Sequence, residues 1–345
     1  MKSSLGAEPQ FSTFATGGFF VMHVREREVA FAQEDLALYQ TAVEGVVRVS
    51  LADKSYVSVS GDDRKGWLQG QATNDLRSFT PGSSTAFCFC KPTGQIIAPV
   101  TAWALGDRMV LALPTVCVPA ALERFEQMVV MEDVEATLLA GEAVGVQGPE
   151  ATAWLGERLA LPSMDAAATE LDGKPVLALR SNRTGLGGWD LVFPDGMAAK
   201  TRKWLDGLVL LEGRAREALR LEAGLPLWGA DFGERTLPPE LGPQFEARYV
   251  SYTKGCYTGQ EVLMRIFSRG HTNRTWCGLV SPVALAVGAP LVTQSGQEVG
   301  TVTSVAFSPE LGHVGAAMIR NGSNDPGSKL VCGETEVEVR RMPLM

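Results

Sequence analysis

VSVSGDDRKGWL, Val57–Leu68, decides the fold because the chain writes it twice. VGVQGPEATAWL, Val144–Leu155, follows 87 residues later without gaps, and both read V-x-V-x-G-x-[DE]-x-x-x-W-L. Each copy is a short alternating strand, a glycine turn and the start of a helix. Asp62 and Asp63 suit the positive end of a helix, and Pro149 suits a first helical turn. A duplication of this kind predicts two similar α/β halves around one core.

Between the copies lies an expected β-meander. TAFCFC, QIIAPVTAWAL and RMVLAL read as strands joined by KPTG and GD, with Pro92 and Gly94 where a type I turn favours them. Pro119 then opens a helix whose face of Leu122, Phe125, Met128 and Val129 reads as core. Further on, the helix through Leu219 should stop at Gly224, two residues before Pro226. From Leu225 to about Gln244 the chain is rich in Gly, Pro and charge and has no periodicity, the mark of a functional or disordered loop. From Trp276 the text is strand-like again, with turns at QSGQ, SPELG and NGSNDPGS, which predicts a compact antiparallel barrel. The expected organisation is a loose tail over 1–32, an α+β body over 33–250 with the meander around 85–115, a joining segment over 251–275 and the barrel over 276–345.

Composition narrows the function. The 345 residues are 45% hydrophobic and 20% charged, the range of a globular chain with two or three domains. A net charge of −8 disfavours direct contact with nucleic acid or an anionic membrane surface, both of which need clustered Lys and Arg. No apolar run is long enough to span a membrane, and the leader lacks the apolar core and cleavage site of a signal peptide, so a cytoplasmic monomer is expected. Met22 is a candidate for the true start. Six cysteines without a C-x-x-C pair offer no zinc or cluster site of that spacing, and all but Cys256 read as core filler. His23, His271 and His313 support no triad, and neither a G-x-G-x-x-G after a strand nor a P-loop is present.

SYTKGCYTGQEVLMRIFSRG, Ser251–Gly270, departs from the rest of the text. Thr258 is the expected N-cap of a helix over about 259–269, with Glu261 completing a capping box and Tyr257 and Val262 forming a hydrophobic staple. Glu261 and Arg265 are spaced for a helical ion pair, and Gly270 is placed to end the helix. Cys256 then lies near the positive helix end and two residues from Lys254, an arrangement that favours a thiolate. Gly255 and Gly259 leave room for a ligand. The alternative reading of the same residues is a tight joint with a filler cysteine.

KGCYTGQE, Lys254–Glu261, resembles the hallmark of the folate-binding YgfZ family, a branch of the glycine-cleavage T-protein (aminomethyltransferase) superfamily. WLQGQATNDLRSFTPG at Trp67–Gly82, LRLEAGLPLWGADFGERTLPPELG at Leu219–Gly242 and VGTVTSVAFSPELGHVGAAMI at Val299–Ile319 are similar to motifs of the superfamily at large. The resemblance implies an α+β fold, a three-domain cloverleaf of two related α/β halves and a C-terminal antiparallel β-barrel around a folate pocket. It also implies departures. The methyltransferases carry an acid pair after the meander turn where this chain has Ala98 and Pro99, and a pterin-holding Glu where RTGLGGWD has Leu186. Aminomethyl transfer is therefore not expected, because a carboxylate is needed there to assist the transfer.

The implied function is that of an accessory protein which binds tetrahydrofolate or a derivative and supports iron–sulfur client or assembly proteins, with any effect on tRNA modification indirect. Lys254, Cys256, Gly255, Tyr257, Thr258, Gly259, Gln260, Glu261 and Arg265 are the motif residues, with Cys256 and Lys254 as the reactive pair. For the folate, Trp228 and Tyr257 are candidate aromatic walls, and Arg220, Arg248 and Lys254 candidate cations. Asn74, Asp75 and Glu222 complete the expected cofactor set, the two acids also serving a folate-dependent one-carbon transferase as the alternative. A partner-docking module with an inert cysteine is the third reading.

Overall fold

The structure, a computed structural model, describes residues 33–345 apart from 160, 162 and 271. The expected tail, with Met22 and His23, and also His271, lies outside the described residues. A helix over 33–44, α1, leads into β1 (Val47–Ser50). The first half then runs β2 (Lys54–Ser60), α2 (Arg64–Gln71), β3 (Ser84–Cys90), β4 (Ile96–Ala104), β5 (Met109–Pro114), α3 (Val118–Met128) and β6 (Glu135–Leu138). The second runs β7 (Glu142–Gln147), α4 (Ala151–Gly156), β8 (Ala166–Leu171), β9 (Lys174–Arg180), β10 (Gly188–Phe193) and α5 (Ala199–Asp206).

The duplicated motif is a duplicated topology. One sheet has the order β3-β4-β5-β2-β6 and the other β8-β9-β10-β7-β1, antiparallel at every step. The repeat strands β2 and β7 hold the same place in each, and the helix after each meander, α3 or α5, returns to the same face. The repeat tryptophans show why the pattern is fixed: Trp67 stacks on Phe125 of α3 at 4.5 Å, and Trp154 meets Trp204 of α5 at 4.8 Å. The turn glycines are equally constrained. Gly61 (φ 96°) and Gly148 (φ 115°) are left-handed, and a Cβ would lie 2.0 Å from the Asp133 carbonyl oxygen or 2.3 Å from that of Gly45.

The helix starts differ in detail from expectation. α2 begins at Arg64, and the Asp63 carboxylate accepts from the Asp133 amide at 2.9 Å instead of capping its own helix. Pro149 lies two residues before α4. The inner faces of the two sheets share a core in which Tyr56, Trp103 and Val110 meet Leu177, Leu179 and Val192. Cys88 and Cys90 are fully buried opposite Phe87 and Phe89, and Leu122 and Phe125 pack as expected, whereas Met128 is exposed.

α6 (Gly213–Glu222) ends at Gly224, whose φ is 64°. The aperiodic segment after it folds down to a short 3₁₀ turn at Pro238–Leu241 and α7 (Pro243–Tyr249). α8 (Gln260–Arg269) precedes the barrel strands β11 (Arg274–Ser281), β12 (Pro290–Val292), β13 (Glu298–Ser308), β14 (Gly312–Arg320), β15 (Lys329–Cys332) and β16 (Thr335–Arg340). They close in the order β11-β14-β13-β12-β15-β16, with the three expected turns between strands. The fold is thus α+β, two related halves and a C-terminal antiparallel barrel. No helix among the described residues is long and apolar enough to cross a membrane.

Candidate functional site

A cleft of about 170 Å³ opens where the two sheets, α6, α7 and the segment between them meet. Pro99 and Thr101 of β4 and Ala112 of β5 form one wall, and Trp228, Phe232, Phe245 and Tyr249 line it with rings. Phe245 and Tyr249 stack at 4.0 Å, and Trp228 meets Phe232 edge-on at 5.2 Å. Among the described residues, five basic side chains reach the cleft, Lys54, Arg183, Arg216, Arg220 and Arg248, against one acid, Asp53. That acid is held by Lys54, whose Nζ donates to it at 2.6 Å. The balance suits an anionic ligand with a flat ring.

The cations are not equivalent. Arg220 spends all five N–H groups on protein: on both oxygens of Glu217, on Asp231 at 2.7 Å, on the Leu225 carbonyl at 2.7 Å and on Ser304 at 2.8 Å. It was expected to bind the folate; it is instead a buried tie between α6, the linker and the barrel. Arg183 is gripped by Asp190 through Nε and Nη2, and its Nη1 makes no hydrogen bond among the described residues. Asp190 is fully buried and also accepts from Tyr56 and Ser181, at 2.8 and 2.7 Å. Arg248 pairs with no carboxylate among the described residues and lies 5.8 Å from the Tyr249 ring centre. Arg248 and Arg216, the latter only 4.0 Å from the Asp53 carboxylate that Lys54 already holds, are the least committed guanidinium groups of the cleft, and Arg183 keeps Nη1 beside its pair with Asp190. Arg183 and Asp190 stand inside RTGLGGWD, so the run that lacks the superfamily's Glu at Leu186 still supplies the cleft. Lys54 and Arg216 carry no sequence signal; only the fold brings them in.

Most motif residues lie elsewhere. Lys254 turns inward, 5% exposed, and its ammonium donates to the carbonyls of Gln69, Ala72 and Asn74 at 2.6, 2.5 and 3.0 Å, with the Tyr257 ring 4.9 Å away. Burial pulls it down to about 8. It is an anchor on the end of α2, and its donors are spent on carbonyls and not on the neighbouring thiol. Asn74 and Asp75 belong to the same seat and do not line the cleft. Asn74 Nδ2 donates to the carbonyls of Ala86 and Arg248 at 2.8 and 2.9 Å, while the Asp75 carboxylate is forked on Arg77, which holds it well below the usual range. Thr73 receives the Ser251 amide on its carbonyl at 2.9 Å. The TND run is therefore the receptor for the 248–254 segment.

Tyr257 is buried with Val250 and Leu263, away from the cleft, with its hydroxyl unpartnered. Thr258 does not cap α8. The N-cap is Gly259 (φ 87°), seated so tightly on the KPTG turn that a Cβ would lie 2.7 Å from the Lys91 carbonyl oxygen. The capping box is absent because docking of that turn fixes the helix start. Glu261 and Arg265 do pair, at 2.7 Å, and Gly270 ends the helix. Gln260 Nε2 reaches the Lys254 carbonyl at 3.5 Å, and Gly255 has open space where a Cβ would stand. Cys256 is the one exposed cysteine; the other five are buried, and burial pushes the Cys90, Cys117 and Cys277 thiols up to about 12. It does not line the cleft.

Glu222 is buried outside the cleft, taking the Tyr39 hydroxyl at 2.8 Å on one oxygen. Burial raises its carboxyl above the ordinary value. A raised acid stabilises the fold below its unfolded pKa and loses that contribution as pH rises through the folded one. Glu222→Gln, a permanently neutral stand-in, should therefore raise Tm relative to wild type at pH 8 and leave it unchanged at pH 4, as read by thermal melts.

Comparison with known proteins agrees with this geometry. The domain described as GCVT N-terminal matches residues 14–249, and the glycine cleavage T-protein C-terminal barrel domain matches residues 274–343. An aminomethyltransferase of Synechococcus sp. is 28% identical over 92% of this chain and 90% of its own. A chloroplastic protein of Arabidopsis thaliana carrying a transferase name is 26% identical over 88% of this chain and 72% of its own. The crystal structure of the glycine cleavage system aminomethyltransferase T from Bartonella henselae superposes with a TM-score of 0.78 over 90% of this chain and 89% of its own, at 20% identity. With both domains matched in order along a duplicated body and a closed barrel, the chain belongs to the glycine cleavage T-protein family.

Proposed function

We propose that the central cleft binds a tetrahydrofolate and that the protein serves iron–sulfur client or assembly proteins through Cys256, without turning over aminomethyl groups. The observation that carries this reading is the wall of the cleft. At β4 it presents Pro99, with Ala98 turned into the opposite core, and the lone acid at its edge is neutralised by Lys54. Among the described residues that line the cleft, no carboxylate is therefore free to assist a transfer at the folate amine. The residues present suit the ligand: rings for the pterin, and Arg183 Nη1 and Arg248 for carboxylates of the tail. A bound tetrahydrofolate would supply a one-carbon carrier; the protein's part is to hold it between the rings and keep acids away.

Cys256 is accessible to a partner protein, and its loop is pinned by Lys254 and the TND seat. Because the other cysteines are buried, preferential alkylation of Cys256 would follow from exposure alone. The discriminating experiment is complementation. In cells lacking this protein, wild type should restore the activity of iron–sulfur enzymes, while Cys256→Ser and Trp228→Ala should both fail at normal protein levels. Trp228→Ala should also weaken tetrahydrofolate binding about tenfold, measured by calorimetry. Full rescue by Cys256→Ser would sink the thiol's role, and catalytic one-carbon transfer by the purified chain would favour the transferase reading.

A further inference from the structure

The loop between α3 and β6 holds the two most exposed large apolar side chains among the described residues, Val130 at 81% and Met131 at 93%. They are adjacent, and the loop that carries them is firmly built. The Glu132 carboxylate folds back to accept the amides of Val130 and Met131 at 3.0 and 3.1 Å. The Asp133 carboxylate accepts from the Asp62 amide, and the Asp63 carboxylate accepts from the Asp133 amide, both at 2.9 Å. Trp67 Nε1 donates to the Met128 carbonyl at 3.2 Å. Side-chain carboxylates and an indole thus hold this backbone in a shape that keeps its apolar groups out in water.

The surroundings are acidic. Five carboxylates, Glu123, Glu126, Glu132, Asp133 and Glu135, fall between residues 121 and 135, all exposed. The one cation in that span, Arg124, is buried on Gln71 and the Cys90 carbonyl, at 2.7 and 3.1 Å. Arg64 nearby is committed to the carbonyls of Gly61 and Gly106. β6, beside the loop, is a sheet edge that pairs with β2 alone and leaves Leu138 half in solvent.

We propose that residues 128–133 form a docking knob for a protein partner that offers an apolar pocket rimmed by Lys and Arg. Preorganisation is what separates this loop from an ordinary exposed hydrophobe: a rigid knob loses little side-chain and loop freedom on binding, and Met adapts to the pocket that receives it. The acid rim selects the partner by charge and speeds encounter, while the apolar pair supplies the grip. This inference does not rest on the folate reading.

The test uses the full chain labelled at its methionine methyl groups, titrated with a helical Leu/Lys peptide and with a Leu/Glu peptide of the same apolar pattern. The Leu/Lys peptide should shift the Met131 and Met128 methyl resonances and bind roughly tenfold or more tightly than the Leu/Glu peptide. A Val130→Ser/Met131→Ser variant should lose that binding by roughly tenfold or more. Both positions are exposed, so the variant should melt as wild type does. Equal binding of the two peptides, peptide-induced shifts that spare Met131, or a variant that binds unchanged would overturn the proposal. A wild-type dimer in sedimentation that the variant abolishes would overturn it too, assigning the knob to a second copy of this chain.

Discussion

Asp231→Ala is expected to cost about 3–5 kcal/mol of folding free energy, because it breaks a buried ion pair and leaves the donors that the carboxylate held without their acceptor. The Asp231 carboxylate is sealed from solvent and takes Arg220 at 2.7 Å, the Leu227 amide at 2.9 Å, Thr303 at 2.6 Å and Ser304 at 2.7 Å. Those partners come from α6, from the linker after it and from β13 of the barrel. One side chain therefore ties three parts of the chain together. Removing it leaves Arg220 held by Glu217, the Leu225 carbonyl and Ser304, with one Nη1 N–H stripped of its acceptor, and takes the acceptor from the Leu227 amide and the Ser304 hydroxyl. The measurement is urea unfolding followed by tryptophan fluorescence and by far-UV dichroism. In wild type the two probes should trace coincident transitions, and in Asp231→Ala they should separate as the barrel loses its tie to the body. A loss below about 1 kcal/mol with coincident transitions would show the network to be a solvated surface pair of small worth.

That network also marks where the sequence stops speaking. The duplicated body was legible because its signals are local and redundant: the strand alternation, the glycine that must be left-handed and the Trp-Leu pair recur at one spacing, and the same strand order follows. The barrel was legible from its turns. Cys256 stood out because it lies among turn residues, while Cys88 and Cys90 alternate with phenylalanines on a buried strand.

The cleft was only half legible. Trp228 and Arg248 line it, but Arg183, Lys54 and Arg216 arrive from elements far apart in sequence and have no spacing to betray them. Arg220 misled because composition reveals a cation and not whether its donors are already spent. Thr258 misled for a different reason. The local capping pattern is sound, yet the close seat of Gly259 on the KPTG turn fixes the start of α8, and tertiary docking outweighs a cap worth about 1 kcal/mol. Asn74 and Asp75 were read as ligand groups when their run is the seat of the cysteine segment, a pairing visible only once residues some 180 positions apart meet.

Lys254→Met should lower stability by about 3 kcal/mol at pH 7, since it removes the donor of three carbonyls and leaves them without a partner beneath the 248–254 segment. Methionine fills the same channel, so packing is largely kept and the loss isolates the polar contacts. The pH dependence gives a second, independent reading. Burial brings the ammonium to about 8 in the fold, below its ordinary 10.5. Between those values the unfolded chain binds the proton and the folded one does not, so wild-type stability from this group rises with pH, is complete above 10.5 and is lost as pH falls through 8. The variant has no such term, and the gap between the two proteins should therefore widen from pH 7 to pH 9.5. Chemical denaturation at both values checks this, the other titrating groups cancelling in the difference. The consequence for function lies at Cys256: with the anchor gone, the loop should open to proteases between residues 250 and 259 while the core of the first sheet stays protected, as mapped by limited proteolysis. A gap that stays constant with pH would mean that the amine is charged throughout, held by the carbonyls and the Tyr257 ring against its burial. A variant as stable as wild type, with an unaltered loop, would mean that the seat on Thr73 and the KPTG turn holds Cys256 in place without the lysine.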